Sequence, residues 1–166
     1  MSESWDLHEL GRFTVGAIGE PGRRLFYFQV FADGTEIAVK CEKQQAQALA
    51  EHLVKLLDDL PAGGGGPVAA AEALPPAALH WAVGSISLGV DQAENRLVVV
   101  LEEMLDPDEA DDALTADPAQ LRVRLLPDQV RAFAAQVDAL VAGSRPLCRL
   151  CEAPIDPSGH ACPRLN

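Results

Sequence analysis

The chain has 166 residues, a net charge of −12 and a pI near 4.6. So acidic a chain is repelled by phosphate backbones unless a local basic patch overrides its field, which argues against a nucleic-acid partner. Apolar residues make up 48%, enough for a real core, yet their runs are far too short to span a bilayer, so no membrane role is expected. The start, MSESWDLHEL, lacks a charged segment followed by an apolar one, and the expected compartment is the cytoplasm.

Residues 1–11 read as a short irregular lead-in. Phe13–Gly19 follows as a strand, and Glu20-Pro21-Gly22 has turn chemistry. Leu25–Phe31, LFYFQVF, is apolar on both faces, as a central strand is. Asp33-Gly34 signals a tight hairpin into a third strand, Thr35–Cys41. A helical period then runs from about Lys43 to Leu60 through Ala46, Leu49, Ala50, Leu53, Leu56 and Leu57. Pro61 ends it. Residues 62–79 read as a linker, because consecutive glycines and prolines hold no regular element cheaply.

The chain then says the same thing again. Leu121–Val141 aligns without a gap on Ile37–Leu57, pairing Val39 with Val123, Gln45 with Gln129 and Leu56 with Leu140. Both segments open with a period of two and switch to a helical period. Upstream, WAVGSIS mirrors FTVGAIG, with Val83-Gly84 falling on Val15-Gly16, and Leu97–Leu101 mirrors the aromatic strand. The hairpin of the first half is replaced by an acidic excursion, 102–119, rich in Asp and Glu and without a basic residue. The expected fold class is α+β. Two tandem βββα repeats, 1–61 and 80–144, form a pseudo-twofold two-layer domain with both helices on one side, since one unit cannot bury both its sheet face and its helix stripe. A zinc-binding tail, 145–166, follows as a small hairpin.

That tail carries the clearest chemistry. Cys148, Cys151, His160 and Cys162 make C-x2-C-x8-H-x-C. Zinc takes four N or S ligands in a tetrahedron, and Asp156-Pro157-Ser158-Gly159 is turn sequence able to bring the second pair back onto the first. Four protein ligands leave no open position, so the expected cofactor is a structural Zn²⁺ whose binding supplies the tail's folding energy. The competing readings are free thiols or a Cys148–Cys151 disulfide. Elsewhere the signals are weaker. Arg23 and Arg24, with Arg12, form a basic cluster able to grip a phosphate or carboxylate, or simply a solvated hairpin. Cys41 reads as a core thiol, and His52 as a solvated helix residue. The acidic run contains no glycine and so lacks the turn of a calcium loop. No P-loop, nucleophile elbow or Rossmann fingerprint occurs.

The stretches GRFTVGAIGEPGRRLFYFQ, WAVGSISLG and CRLCEAPIDPSGHACPRLN resemble an actinobacterial repeat-protein family of unknown function, whose tail is a Cys/His zinc knuckle. The likeness covers most of the chain outside the glycine-rich linker and the acidic loop. Arg149 stands where that family usually has proline, and Glu152 where it usually has glycine. The resemblance implies no activity. Through neighbouring genes it implies a link to a kinase-like and a histidine-phosphatase-like protein. The expected function is therefore that of a non-enzymatic binding or adaptor protein whose partner is another protein. The alternative is an enzyme or ligand-binding protein acting on an anionic small molecule near Arg23 and Arg24.

Overall fold

The computed structural model describes residues 2–20, 22–61, 68–106, 117–142, 148–152, 155 and 159–165. Among them, β1 (Trp5–Leu7), β2 (Arg12–Ile18), β3 (Leu25–Ala32) and β4 (Thr35–Cys41) lead into α1 (Lys43–Leu56), which ends in a 3₁₀ turn, Leu57–Asp59. Then come β5 (Val83–Asp91), β6 (Arg96–Glu103), β7 (Gln120–Leu125) and α2 (Pro127–Ala142). The fold is mixed α+β, with two sheets and two helices. One sheet has the order β2-β3-β4 and the other β1-β7-β6-β5.

The period of two in the strands decides which side chains go inward. Phe13 and Val15 lie opposite Val30 and Phe28, which lie opposite Ile37 and Val39, all on one face. Leu97, Leu101, Leu121, Val123 and Leu125 do the same for the second sheet. The helix stripes, with Leu49, Leu53, Val130 and Phe133, join both faces in one continuous core. Phe133 of α2 lies 4.8 Å from the ring of Phe13 and 6.1 Å from that of Phe28. The second helix therefore packs on the first sheet. The helices also pack on each other.

Hairpin chemistry works as its residues dictate. Asp33 and Gly34 both adopt positive φ, 51° and 75°, the turn that suits two twisted strands. The helix starts share one device. Gln45 Oε1 accepts from Glu42 N at 2.8 Å, and Gln129 Oε1 accepts from Leu126 N at 2.9 Å. Each amide then reaches across the molecule, Gln45 donating to Val83 O and Gln129 to Leu10 O.

Three features differ from the sequence reading. The lead-in is not wholly irregular: β1 pairs in parallel with β7, Trp5 opposite Leu121. The ladders also place the second first-strand differently. Val15 faces Phe28, which faces Val39, whereas Leu88 faces Val99, which faces Val123. On the row of Val99 and Val123, the β5 residue is Leu88 rather than Val83. The extra residues make a longer entry to β5, with a ladder irregularity between Val83 and Ser85. Finally, the described part of the linker is an ordered strap across the outer face of the first sheet. Leu74 N–H donates to Gln29 Oε1 at 2.9 Å, and Leu74 O accepts from Gln29 Nε2 at 3.0 Å and from the Tyr27 hydroxyl at 2.8 Å. Thr14 Oγ1 donates to Ala71 O, and Arg12 to Glu72 O. Gly16 leaves the room, because a Cβ there would meet the Tyr27 hydroxyl and Ala73 Cβ, the latter at 2.7 Å. The four glycines 63–66, the acidic segment 107–116 and the turn 156–158 lie outside the described residues.

Candidate metal centre

The tail builds its site from local backbone. Residues 148–151 turn so that Glu152 N–H donates to Cys148 O at 2.9 Å, and Leu150 N–H points at Cys148 Sγ from 3.5 Å. Glu152 follows at φ 60°, the left-handed region that favours glycine. Gly159, at φ 90°, precedes His160. A short 3₁₀ turn, Pro163–Leu165, closes the end, with Leu165 N–H donating to Cys162 O at 3.1 Å.

These turns bring Cys148, Cys151, His160 and Cys162 together, their ligand atoms all within 4.8 Å of one another. All the cysteines are free thiols, so the disulfide reading fails. Cys148 Sγ and Cys162 Sγ are 3.8 Å apart, and Cys151 Sγ and His160 Nε2 are 3.5 Å apart. A tetrahedron with zinc–sulfur and zinc–nitrogen bonds of ordinary length has edges of about 3.8 and 3.6 Å. The donor set fits a metal ion of that kind, with His160 ligating through Nε2. The electrostatics agree. The amide groups of Cys151 and Leu150 hold the Cys148 thiol down at about 6, so it is a thiolate ready for a cation. Cys162 moves upward: the Arg164 amide lowers it, but burial and the neighbouring Cys151 and Cys148 outweigh that. A bound cation would reverse that rise.

The arginine cluster is not brought together. β2 and β3 pair antiparallel, with Arg12 opposite Phe31 and Ile18 opposite Leu25. Arg12 thus lies at one end of the hairpin and Arg23 and Arg24 at the other, about 20 Å away at about 3.3 Å per residue. Arg12 is held by the strap at Glu72 O. Cys41 is buried at 4% exposure, and burial, then the Glu42 carboxylate, pushes its thiol up to about 12, as suits a core residue. His52 is exposed, with Nδ1 2.7 Å from Ala48 O. Sequence reading missed the buried polar residues Thr14, Gln29 and Gln136. Gln136 donates to Val15 O at 3.1 Å, tying α2 to β2. Their one visible signal was polarity inside otherwise apolar strands and a helix. Among the described residues, no helix is long and apolar enough to cross a membrane.

A two-sheet α+β body with a Cys3His centre able to hold a metal ion is the class that fold and site define. The chain belongs to the family described as protein of unknown function (DUF3090), whose profile matches residues 5–162. Neither a curated protein nor a solved structure matches it.

Proposed function

We propose that this protein is a non-enzymatic binding or adaptor protein carrying a structural Zn²⁺ on Cys148, Cys151, His160 and Cys162. The observation that carries the reading is the ligand set itself, four donors within 4.8 Å of one another, with the Cys148–Cys162 and Cys151–His160 separations at tetrahedral edge length. Such a set leaves no position for a substrate, so the ion orders the tail rather than performing chemistry. Free thiols suit a reducing cytoplasm. We also read the two halves as copies of one βββα unit. The matched roles of Gln45 and Gln129 support this, since each caps its own helix and then reaches the entry of the other half's first strand.

The partner is another protein, and a kinase-like or histidine-phosphatase-like protein is the first to test. The hairpin end at Arg23 and Arg24 is one docking surface for an acidic or phosphate-bearing group, and the tail is another. The test is capture of such a partner at low salt by the wild type, by Arg23→Ala/Arg24→Ala and by Cys151→Ser. Charge-assisted contacts weaken with salt, so capture that fails in one variant and fades with salt assigns the surface. Turnover of an anionic small molecule that depends on Arg23 or Arg24 would instead establish the enzyme reading.

A further inference from the structure

The helices α1 and α2 leave a groove between them of about 450 Å³. Ala50, Ala134 and Val137 line it, and Val54, 45% exposed, stands beside them. Glu51 and Asp138 supply its acidic rim. Lys55 answers one of these charges, with Nζ 3.3 Å from Glu51 Oε1, and Asp138 remains exposed. An apolar floor with an acidic rim suits a ligand that is apolar and basic together.

The tail has that chemistry. Arg149-Leu150 lies inside the cysteine knuckle, and Arg164-Leu165 follows Cys162. Leu150 is 45% exposed and Leu165 73%. The sulfurs of Cys148 and Cys162, 3.8 Å apart, tie together the two short segments that carry these Arg-Leu pairs. Within one chain the groove and both leucines are exposed at once, so a chain's tail does not cover its own groove.

We propose that the tail of one copy docks in the interhelical groove of a second copy. Leu150 and Leu165 enter the apolar floor, and Arg149 or Arg164 meets the exposed Asp138. The inference rests on the zinc reading, because the metal fixes the two Arg-Leu pairs on one platform. Reciprocal exchange of tails closes a two-fold dimer and leaves no open end. The local arginine–carboxylate match opposes the general repulsion between two copies of charge −12.

The test is analytical ultracentrifugation of the full, zinc-loaded chain over a wide concentration range, with zinc measured in every sample. The wild type should form dimers. Val54→Arg in the groove and Leu165→Asp on the tail should each weaken association by about tenfold or more. Both positions are exposed, so both variants should keep the fold and the metal. Mixing the two variants restores one intact tail and one intact groove per pair, and should recover heterodimer. A zinc-loaded monomer at every concentration overturns the proposal and leaves the metal reading standing. A dimer that either variant leaves unchanged, or a mixture that does not recover, also overturns it. Loss of zinc from the wild type would instead be a failure of the metal reading.

Discussion

Phe133→Ala tests whether the two halves share one core. Phe133 is fully buried on α2, and its ring meets Phe13 and Phe28 on the first sheet. Truncating a buried phenylalanine costs about 3–5 kcal/mol through lost transfer energy and the cavity left behind. Two aromatic contacts disappear together here, which places the loss at about 4 kcal/mol. That is about a quarter to four fifths of the 5–15 kcal/mol typical of a domain. At a urea slope of about 2 kcal/mol per molar, the midpoint should fall by about 2 M. Far-ultraviolet circular dichroism and tryptophan fluorescence should report the same transition, since Trp5 lies on β1 of the second sheet and Trp81 O accepts from Lys40 N on the first. A fall below about 0.5 M, or midpoints that separate between the two probes, would refute the shared core.

Gln29→Leu should loosen the strap. It removes the two Gln29 amide hydrogen bonds to Leu74, whose C=O keeps the Tyr27 hydroxyl, and each such bond is worth about 0.5–1.5 kcal/mol. A lower melting temperature and faster proteolysis within 68–77 are expected, and an unchanged cleavage rate would contradict the strap's role. Glu152→Gly should tighten metal binding, because φ 60° costs a non-glycine residue about 1 kcal/mol. Competition with a chromophoric chelator should show affinity rising about fivefold, and equal or weaker affinity would count against the knuckle geometry.

Much of this was legible because side-chain period and turn chemistry are local. The strand-to-helix switch at Cys41–Lys43 and again at Leu125–Pro127 is written in the apolar spacing. Asp33-Gly34 announced its own turn, and Cys-x2-Cys with His-x-Cys announced a site that depends little on the rest of the fold. The parts that were not legible depend on distant partners. β1 is a strand because β7 offers an edge, and Trp5-Asp6-Leu7 alone carries too little pattern to say so. The strap is ordered by Thr14, Tyr27 and Gln29, residues 45–57 positions away in the chain. Arg12 looked close to Arg23 and Arg24 in sequence, and the antiparallel pairing of β2 with β3 sends it to the far end. Proximity along a strand is not proximity in space.

The most direct test of the metal centre is elemental analysis of protein purified under reducing conditions without chelator. The account predicts one Zn²⁺ per chain in the wild type and its loss in Cys151→Ser, with the body still folded because Cys148 and Cys162 stand outside the main core. Wild-type protein free of metal, or a Cys151→Ser variant that retains a full equivalent, would contradict it.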